Sequence, residues 1–190
     1  MVDSDQYIKG KYAMKAPARY HRLVVALHWL LMPLIIMMLI LGTFVTGATP
    51  NSDPEKINHL SGHMPIGMLI GLLMIVRLIT RRLTAAPEGV SSNTPAENRL
   101  ASAVHILLYV LVFIMVGSGI GMAVMANLPA VVFQGHGTLP ADFTHLVPRR
   151  VHGIASVLLA LLISLHVAAA LVHQFVKKDD LIARMWFGKK

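Results

Sequence analysis

Six of the ten histidines, His28, His63, His105, His152, His166 and His173, fall inside the long apolar stretches of the sequence. His152 and His166 are 14 residues apart, which on a helix is about 21 Å of rise and only about 40° of rotation. Both imidazoles would therefore face one side of a single helix at two depths. Neutral imidazole is a ligand for Zn, Cu, Fe and Ni. A structural zinc site wants four tetrahedral ligands, whereas two opposed imidazoles with a flat gap between them suit a six-coordinate haem b. One histidine in a helical core is as often a hydrogen-bonded packing residue as a ligand. Six ionisable side chains in uncharged stretches mark a functional site, because placing them there is costly.

The elements that must position them follow from composition. Of 190 residues, 55% are hydrophobic and 14% charged, with a mean hydropathy of +0.64, against about 25% charged in soluble domains. Too few charges exist to clothe such a chain in water, so the composition predicts a membrane protein. The absence of Cys excludes disulfides, thiolate-held iron–sulfur clusters and covalent c-type haem. The net charge of +8 is read through membrane topology, not as affinity for nucleic acid. Charge-free intervals run from Arg22 to Asp53, Lys56 to Arg77, Arg99 to Asp142 and Arg150 to Lys177. Each is long enough to cross a hydrocarbon core of about 30 Å. Helices are predicted near 24–46, 60–80, 101–126 and 151–175, an all-α, up-down-up-down four-helix bundle integral to the membrane, as one domain over 1–190. The stretch from Asn127 to Arg150, with Pro129, Gly135, Gly137, Pro140 and Pro148, reads as an irregular loop.

Fourteen basic residues precede span one, separate spans two and three, or follow span four, against Lys56, Arg149 and Arg150 on the other side. The positive-inside rule then puts both termini in the cytoplasm. The opening segment up to Arg22 has no separate apolar core or A-x-A site, so span one is expected to stay rather than be cleaved as a signal peptide. Threading the helices antiparallel brings His28 level with His166 at the cytoplasmic end and His63 level with His152 at the outer end. Two pairs result, and with them two haems b stacked across the bilayer. Gly67, Gly71, Gly117, Gly119 and Gly121 would let a macrocycle approach, or simply allow tight helix packing, the commoner use of such residues. Arg77, 14 residues after His63, reaches the depth of the inner pair. It either meets a haem propionate or snorkels to the interface.

These residues resemble the bacterial cytochrome b561 family of four-helix dihaem membrane cytochromes, from about Arg19 to Phe187. The markers are Tyr20-His21-Arg22-Leu23 leading into Leu27-His28-Trp29-Leu30, His63 followed by Met74-Ile75-Val76-Arg77-Leu78, and His105-Ile106-Leu107-Leu108-Tyr109. The most specific is His152 with the run from Leu165-His166 to Val172-His173. The resemblance implies one haem on His28 and His166 and the other on His63 and His152, the pairing that antiparallel threading also gives. It further implies oxidation of superoxide with transfer to ubiquinone, or relay of electrons between a quinone and a partner redox protein, in the bacterial inner membrane. His59, His136, His145 and the loop from Asn127 to Arg150 have no match to the family pattern.

Several residues are assigned roles on these grounds. Arg149 and Arg150 precede His152 and would steer an anion, bind propionates, or anchor to headgroups. Quinone chemistry needs protons, and His173, seven residues past His166, is the preferred candidate to line that pocket, with His105 a second. His59 is expected at a helix end, and His136 and His145 in solvent. Trp29 and Trp186 read as interfacial anchors, the 12 Met as core filler, and Asp179 and Asp180 as solvated tail charges. A His-lined metal transporter is the remaining reading, disfavoured because the spans hold almost no Asp, Glu, Asn or Gln.

Overall fold

The computed structural model describes residues 17–89 and 94–188. Lys9, Lys11, Lys15, Lys189 and Lys190, which enter the charge balance above, lie outside the described residues. Every regular element of the described chain is a helix, with no strand among the described residues. Helix α1, Arg22–Leu41, starts where the His21 ring accepts the Leu23 N–H at 3.3 Å, and it runs on as a π-helical turn over Gly42–Thr46. Helix α2 is Glu55–Leu83 and α3 is Pro95–Met125. The short α4, Leu128–Gln134, precedes α5, Val147–Val172, which also ends in a π-helical turn, His173–Lys177. A last turn, α6, is Leu181–Arg184.

Four of these helices are long and apolar enough to cross a membrane: Arg22–Thr46, Glu55–Leu83, Pro95–Met125 and Val147–Lys177. A helix satisfies its backbone polar groups internally, as hydrocarbon requires. Leu72, Leu161 and Leu165 stay 59%, 59% and 67% exposed. Such a surface suits lipid and not water. The interior is formed by Leu27 and Leu31 of α1, Ile70 and Met74 of α2, Leu111 and Val112 of α3, and Leu159 of α5. Packing is uneven. α3 lies along α5 and α1 along α2, while α1 and α5 touch only sparsely. A Cβ on Gly71 would stand 2.9 Å from the Val116 side chain, so glycine there sets the approach of α2 to α3.

The helices outrun the uncharged intervals. α3 begins at Pro95 because Thr94 and Glu97 form a capping box, with Thr94 Oγ1 accepting the Glu97 N–H and Glu97 accepting the Thr94 N–H. The expected loop from Asn127 to Arg150 contains α4, bounded by left-handed residues Asn127 (φ 49°) and Gly135 (φ 68°).

The end of the bundle where α1 begins and α5 finishes, here the lower end, is closed by the C-terminal segment. Trp29 Nε1–H donates to the Met185 carbonyl at 2.6 Å, and its ring packs edge-on against Trp186 at 5.1 Å. Arg19 donates to the Trp186 and Phe187 carbonyls, and Arg184 to that of Glu88. The only N–H of the Trp29 indole is thus spent on a backbone carbonyl and fastens the C-terminal segment to the start of α1.

Candidate functional site

Three of the four long helices, α1, α2 and α5, bring a histidine inward, at two levels. At the upper level, His63 of α2 faces His152 of α5 with ring centroids 6.2 Å apart. At the lower level, His28 of α1 faces His166 of α5 at 6.5 Å. All four are half-buried. Two metal–nitrogen bonds of about 2 Å, plus about 1 Å from each nitrogen to its ring centre, require roughly 6 Å between centroids when two imidazoles share one iron. Both pairs stand at that separation.

The surroundings of the upper pair add detail. Ser118 Oγ of α3 lies 3.0 Å from His152 Nδ1 and 3.0 Å from the Met115 carbonyl. A hydroxyl has one hydrogen, and the carbonyl can only accept. The serine therefore donates to Met115 and accepts the His152 Nδ1–H, which leaves Nε2 with its lone pair. That is the arrangement by which metal-ligating histidines are usually oriented. His63 Nδ1 is buried with no hydrogen-bond partner, so the outlet for this ring's polarity has to come from what fills the site. The π-helical turn after α1 puts Gly42 beside this ring, where a Cβ would lie 3.1 Å from His63 Cε1. One turn past His63, Gly67 has no atom within 4 Å of a would-be Cβ, nor has Gly117 on α3. Between α1 and α5 runs an apolar groove of about 500 Å³, lined in part by Ile36, Leu39, Ile163, Val167 and Leu171. Donor chemistry and centroid spacing fit a flat iron macrocycle at each level, and the orphaned His63 nitrogen adds to this at the upper one. Among the described residues no group of three or more His, Cys, Asp or Glu is placed to hold a bare metal ion.

Cations flank both levels. Arg77 of α2 donates to the Tyr109 hydroxyl of α3, with its guanidinium 5.4 Å from that ring, and stands within electrostatic reach of His28, His105 and His166. Its carbon chain is drawn inward along α3 and does not snorkel freely. Arg149 lies within electrostatic reach of His152 and Lys56. Arg150 turns away, its Nε donating to the Thr144 carbonyl at 3.4 Å. Lys56, only 5% exposed, donates from Nζ to the carbonyls of Thr46 (2.6 Å) and Thr49 (2.8 Å), and so caps the end of the first span.

His105 joins the lower group: its ring lies 5.2 Å from that of His166, and its Nδ1–H donates to the Ala101 carbonyl at 2.6 Å. His173 Nδ1 is 2.6 Å from Asp179 Oδ2, the side chains being 14% and 9% exposed. Asp179 is therefore not a solvated tail charge, because the chain beyond α5 folds back and buries it. His59 lies in the first turns of α2, half-buried, with Nδ1 3.2 Å from Thr49 Oγ1. His136 and His145 are exposed, His145 3.9 Å from Asp142. The sequence reading gives Ser118 and Gly42 no role, counts Lys56 only as a charge on the outer side, and takes Asp179 for a solvated tail charge.

Compared with known families, the chain matches the model described as prokaryotic cytochrome b561 over residues 19–188, a stretch that takes in all four long helices and every histidine from His21 to His173.

Proposed function

The chain belongs to the prokaryotic cytochrome b561 family, membrane b-type cytochromes that transfer electrons on haem b. From that premise we propose that it moves electrons across the bacterial cytoplasmic membrane, from superoxide at the outer face to the quinone pool. The observation that carries the reading is the pair of facing imidazoles at each of two levels, 6.2 and 6.5 Å between centroids. His63 and His152 would hold the upper of two haems b, and His28 and His166 the lower. Haem b, when bound, supplies one-electron exchange at an iron with no open coordination position.

The side chains do the rest. Ser118 fixes the tautomer and ring plane of His152. Arg149 places positive charge beside the upper level, where it favours approach of an anion. Arg77 supplies charge at the lower level for a propionate. His173 and His105 stand at the lower end, where a quinone carbonyl needs a proton partner. The lower end is the cytoplasmic one by its excess of Lys and Arg. Overall, two superoxide ions are oxidised to dioxygen while one quinone takes two electrons and two protons to become a hydroquinone.

The experiment is a proteoliposome assay with superoxide generated outside and ubiquinone in the bilayer. The expected result is superoxide decay that depends on quinone, with one hydroquinone formed per two superoxide ions. Haem that is reduced by hydroquinone and untouched by superoxide would contradict the donor and favour relay to a partner redox protein instead.

A further inference from the structure

The geometry points to His173 and Asp179 as one proton-exchanging dyad, in which the Asp179 carboxylate holds the imidazole so that Nε2 trades protons with a quinone at the lower end. Asp179 is tied to His173 twice. The carboxylate Oδ2 accepts the Nδ1–H at 2.6 Å, and the Asp179 N–H donates to the His173 carbonyl at 3.4 Å. Both side chains are largely buried, at 14% and 9% exposure.

The backbone is distorted to make this contact. α5 loosens into a π-helical turn beginning at His173, a deviation frequently found at functional sites. Lys178 and Asp180, on either side of Asp179, are both left-handed (φ 53° each) although neither is glycine. Left-handed conformations at such residues persist only where the surroundings impose them, and they gather at active sites. A carboxylate meant for water would need none of this.

The chemistry follows from the bond. With Nδ1–H engaged by carboxylate, Nε2 is the nitrogen free to gain and lose a proton. Reduction of one quinone takes two electrons, arriving singly through the haems, and two protons. The imidazolium gives its Nε2 proton to a quinone carbonyl oxygen as an electron arrives, and the carboxylate steadies the imidazolium between turnovers. The imidazole recovers a proton from water for the next turnover, and the second oxygen, para across the quinone ring, takes its proton from solvent. Among the described residues, the other charged groups on this turn and on the elements packed against it are Lys177, paired to Glu97 of α3 at 2.8 Å, and Lys178, Asp180 and Arg184. Asp179 is a positioning residue here, and its role rests on the quinone reading.

The test uses the full-length haem-loaded protein in proteoliposomes, pre-reduced with dithionite and mixed with ubiquinone across a range of pH. Asp179→Asn is expected to slow quinone-dependent reoxidation at least tenfold and to change its pH profile, with haem content and spectrum unaltered. Asp179→Glu, which keeps the charge, is expected to restore most of the rate. A wild-type rate and profile in Asp179→Asn would overturn the dyad, as would a slower rate with the wild-type pH profile. A wild-type protein that quinone cannot reoxidise at all would remove the quinone reading itself, a different outcome from either.

Discussion

Ser118→Ala isolates the orientation of one proposed ligand. Ser118 is 8% exposed and lies on α3, which contributes no member of either facing pair. Its hydroxyl accepts the His152 Nδ1–H at 3.0 Å. Alanine removes the hydroxyl acceptor and leaves that N–H only the Met115 carbonyl, which also lies within its reach, a loss of about 0.5–1.5 kcal/mol. It also frees the ring to rotate about χ2. The helix itself gains a little, since alanine is the better helix former by a few tenths of a kcal/mol, so the bundle is expected to fold. At 1.4 kcal/mol per factor of ten, the loss corresponds to roughly 2- to 12-fold weaker haem retention at the upper site, reaching the low end of the 10- to 100-fold range typical when an orienting partner of a metal ligand is removed. An imidazole that donates more weakly is also a poorer electron donor, which destabilises oxidised iron and raises the potential of that haem alone. The assay is a redox titration of the reduced-minus-oxidised spectrum together with haem content per chain. Unchanged potentials and full occupancy in Ser118→Ala would refute the reasoning, as would loss confined to the lower haem.

Gly42→Val should disturb the same level from the opposite side, because even a Cβ there stands 3.1 Å from His63 Cε1; crowding of about 1–3 kcal/mol should lower upper-site occupancy while the lower haem keeps its spectrum. Trp29→Phe removes the 2.6 Å bond to the Met185 carbonyl, a loss of about 1 kcal/mol. Trypsin should then cut after Arg184 several times faster, read by mass spectrometry of the released C-terminal peptide, while equal cleavage rates would show that the indole does not fasten the segment.

The four spans were legible because charges are absent from them, and the histidine pairs because residues that face one way on a helix recur at helical spacing. His152 and His166 obey that spacing on α5, and antiparallel threading alone puts His63 and His28 opposite them. Ser118 was not legible. A serine inside an apolar helix ordinarily bonds a carbonyl three or four residues back, as Ser156 and Ser164 do. Only the close packing of α3 on α5 reveals that Ser118 also reaches His152. Asp179 was missed because its burial depends on left-handed backbone at Lys178 and Asp180, residues with no sequence signal for it. The helix α4 was missed because Pro129 reads as a breaker, although proline is compatible with a helix's first turn.

The central claim is that each facing pair of imidazoles grips its own haem. It is tested most directly by counting b haems per chain, by the pyridine haemochrome method, in the purified protein and in His63→Ala and His166→Ala. Two haems in the wild type and one in each variant, with the surviving haem differing between the two variants in its reduced spectrum or midpoint potential, is the predicted result. A wild type that binds fewer than two haems, or either variant retaining both, would contradict it.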